Sequence, residues 1–528
     1  MTTDCKRTGS YYTPQEWAEE LAELSLGRFL TELGERHAAQ PQEHLAALQA
    51  IRVLDPSCGH GILLRAAAKL LLRAYASLGK SQPDLSLNLY GVDISEEAVT
   101  KTREALAPIG GANICRGDAL IDAPEISPLA FNWQANFGEI MENGGFDTII
   151  ANPPYIAPRG NKPSQQLREW LHERYPLCGS QLNHYGMFME KIYQLLRHGG
   201  RAAILTPNTW LNISNFAALR RHLLTHSAEL NITNIRGQIF KGAIVDVCLT
   251  GYRKGPPSTL HYIEQHKGNR TCSQCVPAKA LCSGEYIISP THTDSRFTQL
   301  IRDIQSASRP LSEFATISSG MKVYERGKGS PPQTDDIIRS RAFHHYGPPG
   351  SHDLPWLDGS DIQRYAITHR RGLYLRMGPH LAAPRHKVDF RAPRILVRQI
   401  PSPLPHCIHA AYTEAAAASD INCHVVHQFR SLHPLALLAL INSPLMSLWF
   451  AISSGKLERS TFPQFKVREL ADFPIPHSAV LYESELKTLA CPEKEAELTA
   501  LHLKLCNLPQ DLFEQEHVKQ LLSASKRH

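Results

Sequence analysis

The stretch IRVLDPSCGHGILLRAAAKLLLRAYASL, from Ile51 to Leu78, decides the fold. Ile51 to Leu54 predicts a short buried strand, and Gly59 with Gly61 marks a tight turn. Ile62 to Leu78 then reads as one strongly helical run. Outward from this unit, the same alternation repeats. A second strand, Leu87 to Val92, ends in Asp93 and leads to a helix from Ser95. A third, around Asn113 to Cys115, ends at Gly117 and Asp118. A fourth, Asp147 to Ala151, ends in Asn152-Pro153-Pro154-Tyr155. Beyond a long loop come a helix from His184 to Leu196, the turn His198-Gly199-Gly200, and a strand from Ala202 to Thr206. Upstream, a YYTP turn precedes an amphipathic helix over residues 15–34, with Trp17, Leu21, Leu24 and Leu26 apolar. Strands alternating with helices at this spacing predict an α/β fold with a mainly parallel, doubly wound sheet. Ligands of such sheets bind beyond the carboxyl ends of the strands, where the unusual residues cluster.

From Pro256 the pattern changes. Gly and Pro become frequent, helices sparse, and short β-like runs appear at Arg394 to Ile400 and Cys423 to His427. One late helix is expected from Leu435 to Phe450. We expect a linker near residues 253–260, a first domain over 1–255, a second, α+β or mostly β domain over 256–480, and a helical tail over 481–528. In the tail Leu489, Leu498, Leu501, Leu505 and Leu508 fall at helical spacing.

At 528 residues, 42% hydrophobic and 20% charged, the chain has ample apolar content for several cores. No apolar run approaches the length a bilayer needs; the longest, Pro434 to Ile452, is interrupted by Asn442, Ser443, Pro444 and Ser447. The N-terminus shows no signal-peptide core, and 12 Cys without regular spacing fit a reducing, cytoplasmic compartment. Net charge is +6, unevenly spread: residues 301–470 hold 21 basic against 13 acidic side chains, the remainder 35 against 37. A basic second half expects a polyanionic partner.

Three acids stand at three successive strand ends, Asp55, Asp93 and Asp118. Each alone is commonly a helix cap. Together with Gly59 and Gly61, which allow close backbone approach, they describe a cradle for an adenosine-containing cofactor. Asp93 suits a ribose, whose hydroxyls it can accept from, and Asp118 an adenine amino group. Neither GxGxxG nor GxxxxGK[ST] is present, against a dinucleotide fingerprint or P-loop. The strongest signal is Asn152-Pro153-Pro154-Tyr155. Two prolines stiffen the backbone and remove two donors. The Asn152 amide oxygen and the Pro153 carbonyl can then accept both hydrogens of an exocyclic amine, while Tyr155 offers a flat face to its ring.

In order along the chain, DPSCGHG, GVDIS, GDAL and FDTIIANPPY resemble the S-adenosylmethionine-dependent amino-methyltransferases. RTGSYYTP resembles the cofactor-contacting segment of gamma-class adenine-N6 DNA methyltransferases. NHYGMFMEKIYQLLRHGGRAAILTPNTWL and GQIFKGAIVDVCLTGY resemble the rest of a TaqI-type catalytic domain. WLDGSDI, RAPRILVRQ, LALINSPLMSLWF and ERSTFPQFKVRELADFPIP resemble that type's C-terminal target-recognition domain. The resemblance covers most of residues 7–476.

It implies a Rossmann-like catalytic domain and a site-specific adenine DNA methyltransferase. Such an enzyme transfers a methyl group from S-adenosyl-L-methionine to the N6 amine of an adenine flipped out of duplex DNA. It would serve a restriction–modification or defence system, or act alone. Carried over, Tyr12 and Thr13 touch the cofactor; Asp55, Pro56, Gly59 and Gly61 hold its methionine end. Asp93 and Ile94 take the ribose and one adenine face, Asp118 the adenine amine, and Phe188 packs on the cofactor adenine, with Asn152 beside it. Asn152, Pro153 and Pro154 orient the target amine, and Tyr155 and Phe240 sandwich the target base. Ala119 departs from the pattern, which has an aromatic there, and leaves Leu120 to line that part of the pocket.

The implied partner is double-stranded DNA, bound by a monomer, with room for a separate endonuclease or defence partner and none for a membrane. Arg391, Arg394, Arg398, Lys456, Arg459 and Lys466 are the expected DNA contacts, most of them to phosphates. Cys272 and Cys275 form a single CxxC with Cys282 and His266 nearby; the second pair is irregular, and no metal is assigned. Three other readings remain open. One is a methyltransferase acting on RNA bases or protein glutamine, since NPPY occurs there too. A second is a catalytically inactive specificity subunit. The third, a fused nuclease, lacks a PD…(D/E)xK pattern.

Overall fold

Nine strands share one sheet in the first part of the computed structural model. The structure describes residues 13–155, 164–179, 182–236, 246–257, 260–267, 270–277, 286–289, 294–385, 387–454 and 464–525. Two compact units divide the chain, at Thr293 and Asp294.

In the first unit, β1 (Val53–Asp55), β2 (Leu89–Asp93), β3 (Asn113–Arg116), β4 (Phe146–Ala151) and β5 (Leu196–Pro207) are parallel. Next come β6 (Ser227–Arg236), β7 (Val247–Lys254), β8 (Leu260–Lys267) and β9 (Arg270–Pro277). The spatial order is 3-2-1-4-5-7-6-8-9, with β7 inserted antiparallel between β5 and β6. Strand β1, β4 except Asp147, and β5 from Gly200 to Pro207 are buried, as central strands covered on both faces must be. Helix α1 (Gln15–Ala22) continues through a π turn over Glu23–Gly27 into a further helix over Arg28–Arg36, in line with the helix expected at 15–34. Helix α2 (Ile62–Ser77) follows the glycine turn, and α3 (Glu96–Leu106) starts at Ser95, whose hydroxyl accepts the Ala98 N–H as an N-cap. Helix α4 (His184–Leu195) leads into β5.

The unit boundary falls later than the sequence suggests. Gly255-Pro256-Pro257 lies in the connection from β7 to β8, and two further strands extend the sheet. Gly and Pro punctuate hairpins and linkers alike, so composition alone does not separate the two. Cys272 and Cys275 lie on β9; Cys282 is outside the described residues.

The second unit is α+β. One antiparallel sheet runs in the order Thr316–Ser319, Cys423–His427, Arg394–Arg398, Ala410–Thr413; another pairs His344–Tyr346, Leu373–Arg376, Asp353–Leu357 and Ala418–Ser419. The single late helix expected from Leu435 is two, Pro434–Asn442 and Pro444–Ser454, bent by 60°. Pro444 has no N–H to continue the ladder and holds Ser443 extended at ψ 150°. Asn442 meanwhile binds the Ala410–Thr413 edge strand by both ends of its amide: Oδ1 accepts the Ala410 N–H at 3.0 Å, and Nδ2 donates to the Ala410 carbonyl at 2.9 Å. Both helices are almost wholly buried, and no single described helix is long and apolar enough to cross a membrane. The tail is no separate body: Leu486, Leu489, Leu498, Leu501, Leu505 and Leu508 join the same core as Ile395 and Leu437.

Candidate active site at the carboxyl edge of the sheet

β1 and β4 are parallel neighbours, with Val53 opposite Thr148 and Leu54 opposite Ile149. The glycine turn and the Asn-Pro-Pro-Tyr segment therefore leave the sheet side by side at one edge. β2 flanks β1 on its other side, in register Asp55 to Gly91, and carries Asp93 to that edge; β3 follows with Asp118. Topology alone brings the four segments together.

The glycine turn is built tightly. Gly59 and Gly61 have φ of +51° and +76°. A Cβ on Gly61 would sit 2.9 Å from Thr102 Cγ2, whereas one on Gly59 would meet nothing within 4 Å. Gly59 thus borders open space while Gly61 is a packing necessity. The Gly59 N–H donates to Asp93 Oδ2 at 2.9 Å, and the Ser95 N–H to Asp93 Oδ1 at 2.9 Å. Thr102 Oγ1 donates to the Gly59 carbonyl at 2.7 Å. Each Asp93 oxygen has a second lone pair for a ligand hydroxyl. Gly91 is close-packed beneath the turn: a Cβ would lie 2.8 Å from Ile114 Cδ1 and 3.1 Å from Cys58 Sγ.

Asp55 is only 1% exposed. Its Oδ1 accepts the Ser57 N–H at 3.0 Å, while Oδ2 is buried with no hydrogen-bond partner. Burial pushes its carboxyl up to about 8, against the pull of the Ser57 N–H and helped by the negative Asp93. Burial and the same two carboxylates raise the neighbouring Cys58 thiol well above its ordinary range. An ammonium at Oδ2 would satisfy the orphaned oxygen and offset the cost of burying its charge. Next to Asp93, Ile94 is 53% exposed, an apolar surface at the rim suited to a flat base. Asp118 Oδ1 accepts the Leu120 N–H at 3.0 Å, and burial raises its carboxyl too. Leu120 and Phe188 are buried in one apolar cluster with Val92 and Ala119. An orphaned carboxylate oxygen, an open glycine, an exposed rim isoleucine and two further strand-end acids fit an adenosine cofactor with a cationic amino-acid end.

On the other side of the edge, Asn152 Nδ2 donates to Thr13 Oγ1 at 2.9 Å. The amide nitrogen thus faces Thr13. Pro153 is buried and Pro154 half-buried. Tyr155 is 6% exposed and packed in the cluster that also holds Leu64 and Ile150. Tyr12, Phe240, Lys456 and Arg459 lie outside the described residues.

In the second unit Arg391 and Lys466 are exposed and Arg398 half-buried. Arg394, expected at DNA, needs correction. It is fully buried, and its guanidinium donates to the carbonyls of Ala392, Ala415 and Ala417 at 2.8–3.0 Å. Burial lowers its pKa to about 10, which leaves it charged and spent on the protein's own backbone. It starts a central strand whose residues are buried without interruption to Val397, a burial that charge counting does not register.

Residues 87–240 match the model of the Eco57I restriction-modification methylase, and residues 354–475 that of the TaqI-like C-terminal specificity domain. The sheet is a Rossmann-like methyltransferase core. The chain is 25% identical over 254 residues to Type II methyltransferase M.BanIII of Aneurinibacillus aneurinilyticus, covering 47% of this chain and 39% of that protein. It is 27% identical over 269 residues to Type II methyltransferase M.TthHB8I of Thermus thermophilus, covering 50% and 52%. These matches span about two fifths and one half of the relatives' own lengths. Among solved structures, the Type IIL restriction-modification enzyme MmeI in complex with DNA superposes with a TM-score of 0.60 at 12% identity, covering 100% of this chain and 77% of that one. At that identity the likeness is one of fold.

Proposed function

We propose that the chain methylates the N6 amine of adenine in duplex DNA, with S-adenosyl-L-methionine as donor. The observation that carries this reading is the parallel pairing of β1 with β4, which sets the glycine turn beside Asn152 at one edge. When bound, the cofactor supplies a methyl carbon made electrophilic by its sulfonium. Asp55 would hold its ammonium, Asp93 its ribose, Ile94 one face of its adenine and Asp118 the adenine amine; Pro56, Gly59 and Gly61 shape the turn around it.

Asn152 Oδ1 and the Pro153 carbonyl accept the two hydrogens of the target amine. Held so, the nitrogen lone pair is drawn out of conjugation with the purine and becomes nucleophilic. Positioning and fixed dipoles carry the rate, and nothing in the donor set asks for a metal. An adenine paired in a duplex cannot reach such a pocket, so the base must leave the stack, at a cost of a few kcal/mol. Tyr155 would offer its ring to the extruded base. Arg391, Arg398 and Lys466 would contact DNA from the second unit, mostly at phosphates.

The test is direct. The purified protein, cofactor and a mixed-sequence duplex are incubated, and nucleosides are resolved by mass spectrometry. N6-methyladenine in the duplex, lost in Asn152→Ala with cofactor binding retained, supports the reading. Methylation of RNA or protein instead, full activity in Asn152→Ala, or no methylation at all overturns it.

A further inference from the structure

Thr13 sits at a junction that serves more than the cofactor. It is 5% exposed, and its hydroxyl oxygen accepts the Asn152 Nδ2 hydrogen across 139 residues of sequence. The placement is built. Pro14 follows with extended geometry, φ −58° and ψ 149°, and its carbonyl accepts the Ala18 N–H at 3.1 Å to start α1. Ala18, Leu21 and Ala22 bury themselves in the core that contains Ile150 and Tyr155, on either side of Asn152. Glu19 on α1 pairs with Lys69 on α2 at 2.7 Å. Thr13 is thereby fixed to the scaffold that carries the catalytic segment.

The chemistry needs such a fixture. Facing a target amine, the amide oxygen accepts. We infer that Thr13 is a positioning residue that anchors the Asn152 carboxamide, holding it in place at the sheet edge for a target amine. The inference rests on the methyl-transfer reading above and adds to it: Thr13 acts on the target side of the reaction, through Asn152, in place of or beside any contact with the cofactor.

Three variants of the full chain test it: Thr13→Val, which keeps shape and removes the oxygen; Thr13→Ser, which keeps the oxygen; and Thr13→Ala, a control if Val misfolds. Melting curves establish folding, calorimetry gives the cofactor Kd, and single-turnover methylation at saturating cofactor and DNA gives the chemical rate. Val and Ala should lose about 10- to 100-fold in that rate, as expected for a misplaced group, with cofactor Kd changed less than about 3-fold. Ser should restore most of the rate. An unchanged rate in a folded Val or Ala variant overturns the inference. So does a weakened cofactor Kd with the rate intact at saturation, or a Ser variant as slow as Val. A wild-type chain that methylates no DNA overturns the parent reading and this one together, an outcome distinct from active wild type with equally active Val.

Discussion

At Asp55 burial and chemistry meet in one side chain. A carboxyl raised to about 8 when folded, against about 3.9 in an unfolded chain, binds more protons in the folded state between those values. Its stabilising contribution is therefore whole below about pH 4 and is lost as pH rises through about 8. Without ligand, Asp55→Asn should lose less stability than wild type between pH 6 and 9, read by denaturant melts at each pH. A cation at Oδ2 favours the ionised form, so cofactor binding near pH 7.5 should release up to one proton in wild type and none from this site in Asp55→Asn. Calorimetry in buffers of differing ionisation enthalpy reads the difference. The two turn glycines separate by the same residue-level reasoning. Gly61→Ala meets both a left-handed φ and Thr102, and should cost about 2–3 kcal/mol; Gly59→Ala meets only the φ, and should cost about 1 kcal/mol. Equal losses would count against the packing argument. The strand-end acids and Asn152 were legible in sequence because their positions follow from strand ends. The Thr13–Asn152 bond was not, since 139 residues separate the partners and only the fold joins them.

At the scale of elements, central strands and their helices were readable because a buried parallel strand is a plain apolar run, and the first four were followed by Asp, Gly or Asn-Pro signals. β8 and β9 were missed because Gly255-Pro256-Pro257 resembles a linker as much as a turn. The late helix was read as one because its apolar composition runs through Pro444, although the missing N–H breaks it there. Arg394 shows the same limit: on sequence it is one more cation in a basic region, yet in the strand it is a buried brace. Arg394→Ala should destabilise the second unit by about 3 kcal/mol or more, by unpairing three carbonyls and opening a cavity. Arg391→Ala should leave the melt within about 0.5 kcal/mol of wild type. Chemical denaturation of the two variants checks both values.

At the scale of the whole molecule, charge is the property that survives without knowing any contact. The excess of 21 basic over 13 acidic side chains in residues 301–470 predicts DNA affinity that falls steeply with salt, by roughly tenfold or more from 50 to 200 mM. A titration by fluorescence anisotropy at several salt concentrations measures it, and a flat response would argue against phosphate contacts. We expected a boundary near residue 255 and a separate tail, whereas the two compact units meet at Thr293 and Asp294, since a boundary is set by which strands pair and not by composition. The tail proved part of the second core because its leucines were spaced for a helix that needed a partner. The double hydrogen bond from Asn442 to Ala410 carries one more consequence. It occupies, with a side-chain amide, a main-chain pair at the outer rim of an antiparallel sheet, where another chain could otherwise add a strand. With the Tyr365 N–H on the same Ala410 carbonyl at 2.8 Å, this helix tip leaves no open main-chain pair at the start of that strand for a further partner.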